Sequence, residues 1–138
     1  YSLNEGVKIH KPRGILSVPH LSYVYVGDWD SGSKISKIFR FHLGAGATNY
    51  LSTPVTEVKT KILNIKYLNQ IVHDRFRQRL LVIDGQSNNG ILVACQYDLE
   101  KCRNVYKLSS NHAFSAAIYG GDLFITEMNQ PEILVQKV

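Results

Sequence analysis

Three segments of this chain repeat one order of elements. Each segment is a short apolar run that ends in an acid, followed by a polar turn and a second apolar run that opens with isoleucine. The acid and the isoleucine of the three copies are Asp28 and Ile35, Asp84 and Ile91, and Glu127 and Ile133. Short apolar runs bounded by turn-forming residues are typical of β-strands. Because self-similarity along a chain specifies its whole architecture, this repeat constrains the fold more than any other feature.

Further strands are predicted around each repeated pair. A strand should precede each pair, at 15–18, 69–73 and 113–119, and an outer strand is predicted at 102–108. Gly120-Gly121 predicts a tight hairpin turn, since glycine tolerates a positive φ. Each unit is therefore expected to be a four-stranded antiparallel sheet. Repeats of roughly 40 residues with four strands apiece are typical of propeller blades.

The second strands carry motifs that point to a fold family. They are Tyr25-Val-Gly-Asp-Trp-Asp, Leu81-Val-Ile-Asp with Ser87-Asn88-Asn89-Gly90-Ile91, and Phe124-Ile-Thr-Glu. These motifs resemble those of six-bladed β-propellers of the NHL and YWTD types, although the full Tyr-Trp-Thr-Asp tetrapeptide does not occur. The resemblance implies an all-β chain of three propeller-type blades, half of a six-bladed ring, at about 8–58, 59–108 and 109–138.

Three blades would not close a ring. Closed propellers have about four to eight blades, and an unclosed set leaves strand edges with unpaired backbone groups. We therefore expect further blades to complete the ring, carried either by the same polypeptide or by a different one. One segment offers an alternative to strands: in 61–76, apolar residues recur at helical spacings of three and four. We favour two strands there, because Asn64 and Asn69 are mediocre helix formers.

The loops between second and third strands should share one face of a propeller. Function on such a scaffold commonly resides in its loops. Six residues are the predicted partner contacts: Trp29, Asp30, Asn88, Asn89, Met128 and Asn129. The leading prediction is a non-catalytic protein-interaction or scaffold module that docks a partner through this face or through an edge strand. Packing between blades is the alternative role for the single tryptophan.

The repeated acids allow a second prediction. Asp28, Asp84 and Glu127, with His112, should approach the same face, and calcium favours oxygen ligands of this kind. The resemblance alone implies the option of a calcium-dependent hydrolase or lyase whose site is completed by other blades. We favour a structural role, in which each acid accepts hydrogen bonds from the backbone of the following turn. On that reading the chain needs no cofactor.

Charge suggests a third prediction. The net charge is +5, and residues 1–77 carry +6 while residues 78–138 carry −1. Basic regions attract acidic partners over long range. Arg75, Arg77 and Arg79 surround Phe76, as in segments that bind phosphates and stacked bases, so an RNA-bound component of a large assembly is the third alternative. No RNA-binding signature occurs, and nucleic acid is therefore not favoured.

The remaining motifs are few. Cys95 and Cys102 suit two adjacent strands joined by a tight turn, and both a disulfide and two buried thiols remain open. A disulfide would favour an extracellular or lumenal compartment. Apolar runs reach about seven residues where a membrane-spanning helix needs roughly 20, so no such segment is predicted. No nucleophile elbow, phosphate loop or dinucleotide motif occurs, and no catalytic residue is assigned.

Overall fold

The computed structural model describes residues 7–44, 55–85, 90–108, 113–128 and 130–138. In these residues the chain forms eleven β-strands and a single 3-10 turn at Pro19–Leu21. The prediction of an all-β fold is therefore confirmed. Within the described part of the chain, no helix has the length and hydropathy needed to cross a membrane.

The strands form three antiparallel sheets, and each strand pairs with the next one along the chain. The first sheet contains β1 (Pro12–Val18), β2 (Tyr23–Asp30), β3 (Ile35–Leu43) and β4 (Val55–Leu63). The second contains β5 (Leu68–Asp74), β6 (Arg79–Asp84), β7 (Ile91–Cys95) and β8 (Cys102–Lys107). The third contains β9 (Ala113–Tyr119), β10 (Asp122–Glu127) and β11 (Ile133–Lys137). This simple meander order is that of propeller blades.

The second sheet lies between two hydrophobic cores. Successive side chains of a strand point to opposite faces, so the buried run of β6 supplies both cores. Leu80 and Val82 pack into the core shared with the first sheet. Leu81 and Ile83 pack into the core shared with the third sheet. A strand that is apolar on both faces is thus explained by the layered arrangement of the sheets.

The first strands of the three sheets lie side by side. Strand β5 contacts both β1 and β9. The Asn69 side-chain amide donates to the carbonyl oxygens of Ala113 and Phe114 at 2.7 Å each, and the backbone N–H of Ala116 donates to Gln70 Oε1 at 2.8 Å. We call the ends where β2, β6 and β10 finish the loop face. The opposite ends, where β1, β5 and β9 finish, are the turn face.

Two boundaries differ from the sequence-based expectation. Strand β4 extends the first sheet to Leu63, past the predicted break after residue 58, because it pairs with β3 as far as Ser36↔Leu63. The third sheet has three strands among the described residues, not the predicted four, since β11 is its outermost strand and ends at Lys137. The segment 61–76 contains the end of β4 and all of β5, so the prediction of strands there is confirmed.

The structure contains the predicted glycine hairpin and places the two cysteines on adjacent paired strands. Gly120 and Gly121 adopt φ values of +59° and +88° in the hairpin between β9 and β10. Cys95 and Cys102 are directly paired between β7 and β8, and they form a disulfide. The structure therefore selects the disulfide over two free thiols.

Candidate functional site

Two of the repeated acids accept backbone hydrogen bonds at equivalent positions of the first and second sheets, on the loop face. Asp28 is fully buried and accepts hydrogen bonds from the backbone N–H groups of His10 and Lys11 at 3.0 and 2.7 Å. Asp84 is buried and accepts from the backbone N–H groups of Lys66 and Tyr67 at 3.4 and 3.2 Å. Both acids thus fix the segment that leads into the first strand of their own sheet.

This role corrects one detail of the expectation. The amides come from the segment before β1 or β5, whereas the following turn had been expected to supply them. The reason is the pairing register, which places Asp28 opposite Pro12 and Asp84 opposite Leu68. A backbone hydrogen bond from the Gly85 N–H to the Tyr67 carbonyl, at 3.0 Å, lies next to Asp84. An equivalent backbone hydrogen bond lies next to Asp28. Repetition of one acid at one place is therefore explained by structure.

The equivalent position of the third sheet is only partly described. Glu127 is half-buried and lies opposite Ala113 in the register. His112 and the residues just before it lie outside the described part of the chain. In the part of the chain that the structure describes, no three His, Cys, Asp or Glu side chains come together to hold a metal ion. The predicted calcium site, which includes His112, stays a prediction.

Asp30 shapes the turn between β2 and β3. Its carboxylate accepts from the N–H of Gly32 at 2.9 Å and from the hydroxyl of Ser33 at 2.6 Å. The Ser33 hydroxyl lowers the pKa of Asp30, and the Gly32 amide adds to the same effect. His10 Nε2 lies 3.8 Å from this carboxylate. Asp30 is therefore a negative charge fixed on the loop face.

Trp29 belongs to a group of two adjacent rings on the loop face, each of which has a cation against it. Its ring centroid lies 4.7 Å from that of Tyr67, and its Nε1 donates to the carbonyl of Lys66 at 3.0 Å. Lys11 Nζ lies 5.2 Å from the Trp29 ring, and Arg13 Cζ lies 5.2 Å from the Tyr67 ring. We call these four residues, Lys11, Arg13, Trp29 and Tyr67, the Trp29 cluster. The cluster joins the first and second sheets, so Trp29 has a packing role as well as a place on the predicted face.

The other predicted contacts are placed only in part. Met128 is 58% exposed and follows β10 on the loop face. Asn88, Asn89 and Asn129 lie outside the described residues. Sequence reasoning missed Lys11, Arg13 and Tyr67. The sequence offers no local signal for them, because they come together only through the pairing of β1 with β2 and the packing of β1 beside β5.

Sequence reasoning also missed a polar network on the turn face. Arg40 is buried; its guanidinium lies 4.2 Å from the Tyr23 ring and donates to Glu57 at 2.9 Å. It also donates to the carbonyl of Tyr97 at 3.2 Å, which accepts as well from the Tyr25 hydroxyl at 2.6 Å. Burial raises the pKa of Tyr25. A charged residue between two phenylalanines of β3 was the available signal, since a buried charge needs partners.

The predicted arginine cluster does not form a row of available cations. Arg79 Nε donates to the buried Asp74 carboxylate at 2.9 Å, and Arg77 Nη1 lies 3.5 Å from the same carboxylate. Two of the three arginines are therefore at least partly neutralised by one acid. Contacts to several successive phosphates, which RNA binding requires, are not supported by this arrangement.

Comparison with known proteins gives one structural relationship. No family model matches the sequence, and none of the curated proteins compared with it matches. The structure is similar to a chain in the crystal structure of a nidogen/laminin complex, with a TM-score of 0.71 and 18% sequence identity. The similarity is one of fold, and it shows the three sheets to be blades of the β-propeller type. The similarity covers 98% of this chain and 46% of that chain, so this chain spans less than half the length of its structural neighbour.

Proposed function

We propose that this chain is part of a β-propeller that binds a protein partner through its loop face and performs no chemistry of its own. The observation that carries the proposal is the Trp29 cluster, in which two cations lie against two aromatic rings. Trp, Tyr and Arg are the residue types that most often dominate binding energy in protein interfaces. The neighbouring structure supports a protein partner, because it is a complex of two proteins.

The cluster is arranged before any partner arrives. Trp29 is held by its bond to the Lys66 carbonyl and by the Tyr67 ring. Immobilising a flexible side chain on binding costs about 0.5–1.5 kcal/mol. Because Lys11 and Arg13 already lie against rings, part of that cost is met by folding. A preorganised cluster of this kind favours binding over a merely packed role.

The charge of the cluster indicates the chemistry of the partner. Lys11 is exposed and Arg13 is half-buried, and Lys66 is exposed beside them. Their positive charge favours an acidic segment of a protein. Asp30 supplies a fixed negative charge nearby, which would set the direction in which that segment lies. Met128 offers an exposed apolar contact on the same face.

We further propose that the three blades are half of a six-bladed ring, completed by blades of the same or a different chain. Apolar side chains at both ends of the set support this. Ile15 of β1 is 74% exposed, and Ile133 of β11 is 64% exposed. Exposed apolar positions on strands are typical of faces that another sheet covers.

The loop-face proposal can be tested with a phage-displayed library of random linear peptides. The library is selected on a variant that carries Arg75→Glu and Phe76→Ala. These two changes remove an exposed cation and an exposed ring on the turn face, which could otherwise bind peptides there. We expect enrichment of acidic peptides whose affinity falls on the order of tenfold when Lys11→Glu and Arg13→Glu are added. Lys101→Glu, an exposed lysine between β7 and β8, is the matched control and should leave the affinity unchanged. Peptides that bind the Lys11→Glu and Arg13→Glu protein equally well would contradict the proposal.

A further inference from the structure

An open pocket of about 570 Å³ lies on the turn face, on the side of the molecule opposite the Trp29 cluster. It is formed between the turn that joins β5 to β6 and the hairpin that joins β9 to β10. Phe76 and Tyr119 line it, together with His73, Ile118 and the two glycines of the hairpin. Binding sites for ligands and side chains commonly enclose about 300–1,000 Å³. The pocket is therefore large enough to receive one or more side chains of another molecule.

The two aromatic rings of the pocket are almost fully exposed. Phe76 is 87% exposed and Tyr119 is 82% exposed, and both stand outside the two hydrophobic cores. A single exposed aromatic residue needs no explanation, but two that line one pocket form an apolar surface. Their exposure means that neither ring contributes much to the stability of the fold. Their placement is better explained by contact with another molecule.

The space beside the hairpin is unfilled. A Cβ atom built on Gly120 or Gly121 would meet no other atom within 4 Å. The hairpin thus presents bare backbone to the pocket, with no side chain projecting from its two central residues. A partner segment could approach this backbone closely.

The surface of the pocket is positively charged. Arg75 and Arg77 are exposed and line it, and Arg77 Cζ lies 5.7 Å from the Phe76 ring. Among the described lining residues the single carboxylate is Asp74, which is 1% exposed, pairs with Arg79 and lies 3.5 Å from Arg77. Its buried carboxylate therefore presents little negative charge to the pocket. Arg77 is partly neutralised by this contact, and Arg75 supplies most of the positive charge of the pocket. A partner with negative charge would therefore be favoured.

We propose that this pocket binds an acidic linear segment of a protein partner, with one large apolar side chain of that segment between Phe76 and Tyr119. Carboxylates on either side of that apolar residue would face Arg75 and Arg77. This site is separate from the loop face and does not depend on the function proposed for it. Both features of the pocket, two rings and two cations, are used by such a segment.

A protein segment fits the pocket better than single-stranded nucleic acid does. Nucleic acid needs a basic groove that follows its backbone and stacked rings for successive bases. Here Arg79 is bonded to Asp74, and the exposed cations are confined to one turn. The two rings line a single pocket instead of a track. One inserted side chain with flanking carboxylates matches this geometry.

The same phage-displayed peptide library tests the pocket when it is selected on the Lys11→Glu and Arg13→Glu protein, whose loop face is disabled. We expect enriched peptides to combine Asp or Glu with a Leu, Phe or Trp. Their affinity should fall on the order of tenfold with Phe76→Ala plus Tyr119→Ala, and by a smaller factor with Arg75→Glu. Because these side chains are exposed, the variants should melt within a few degrees of the parent protein.

Matched controls lie on another part of the surface. Tyr106→Ala removes a partly exposed ring of β8, and Arg103→Glu reverses an exposed charge of the same strand. Neither should change peptide affinity. The proposal is overturned if no peptide is enriched, if the enriched peptides bind the Phe76→Ala plus Tyr119→Ala protein equally well, or if their sequences lack acidic residues. Tighter binding of a single-stranded oligouridine probe than of any selected peptide, lost with the same variants, would also overturn it in favour of nucleic acid.

Discussion

The side-chain oxygen of Ser36 accepts a hydrogen bond from the backbone N–H of Leu68 at 3.1 Å, across the junction of the first and second blades. Both residues are fully buried. Gly27 lies at the same junction, where an added Cβ would collide with the Leu68 side chain and the Arg13 carbonyl. One hydroxyl group therefore satisfies the first backbone donor of β5 at a closely packed point of the junction between two blades.

We predict that Ser36→Ala lowers the free energy of unfolding by about 1–3 kcal/mol, because it leaves the buried Leu68 N–H without its acceptor. Urea unfolding followed by circular dichroism measures the change. Ser17→Ala, at an exposed position of β1, is the control and should change stability by no more than about 0.5 kcal/mol. Equal stability of the two variants would show that the Leu68 N–H finds another partner.

We predict that Asp84→Asn destabilises the protein by about 1–3 kcal/mol, with or without calcium. The carboxylate accepts from two backbone N–H groups, of Lys66 and Tyr67, and the neutral amide replaces one of its oxygens by a donor. Thermal melts with and without millimolar calcium measure both effects. The matched control is Asp98→Asn, which alters an exposed carboxylate that accepts from the Glu100 N–H.

The calcium alternative makes the opposite prediction for the same melts. A ligand at about 100 times its dissociation constant stabilises a folded protein by about 2.7 kcal/mol. If calcium raised the melting temperature of the parent protein and Asp84→Asn abolished that rise, the structural role of the repeated acid would be wrong. We expect no rise in either protein, because Asp84 is committed to backbone donors.

The all-β meander could be predicted from the sequence because its determinants are local. The repeated acids and turn glycines mark strand ends, and the apolar runs between them, such as that of β6, have the length of strands. The Trp29 cluster could not be predicted in full. Lys11 and Tyr67 are far from Trp29 in the chain: the pairing of β1 with β2 brings Lys11 to its ring, and the packing of the second sheet against the first brings Tyr67. Contacts between blades leave no periodic signal in the sequence.

The turn-face pocket illustrates the same limit. Sequence analysis identified Phe76 and its flanking arginines but offered RNA binding as the alternative for them. The structure instead bonds Arg79 to Asp74 and places Tyr119 of another blade in the same pocket as Phe76. A charge count along the chain cannot show which cations are already paired. The chemistry of the surface is therefore decided by tertiary contacts.

We predict that replacing both Cys95 and Cys102 by Ala lowers the free energy of unfolding by about 2–3 kcal/mol. The disulfide closes a short loop between paired positions of β7 and β8, and loss of this constraint frees the unfolded chain. Adding a thiol reductant to the parent protein should give a similar loss, while the double variant should not respond to the reductant. A parent protein unaffected by reductant under conditions that reduce the bond would contradict this prediction.

The stability of the protein should depend on pH through the pair His73–Tyr97. His73 Nε2 lies 2.7 Å from the Tyr97 hydroxyl. Burial lowers the pKa of His73, and the positive charges of Arg75 and His20 lower it further, while Asp74 acts in the opposite direction. Burial also raises the pKa of Tyr97, so the phenol keeps its proton and can donate it to Nε2 of the neutral imidazole when that nitrogen carries no hydrogen.

A lowered pKa in the folded state fixes the direction of the effect. An unfolded chain binds a proton at His73 near pH 6.5, whereas the folded protein binds it only at lower pH. The stability contributed by the neutral ring is therefore complete above about pH 6.5 and is lost as the pH falls through the folded-state pKa. We expect His73→Gln, whose amide oxygen can still accept from Tyr97, to flatten the loss of stability between pH 7.5 and 5.

Tyr97→Phe separates burial from hydrogen bonding in the same measurement. This variant keeps His73 and most of its surroundings, so it should retain the fall in stability toward pH 5. It should also be less stable than the parent protein at pH 7.5 by about 1 kcal/mol, because it lacks the hydroxyl donor. Urea unfolding at a series of pH values gives all three curves. If His73→Gln and the parent protein lost stability in parallel, the pH dependence would have to arise from other groups, and the assignment to His73 would be wrong.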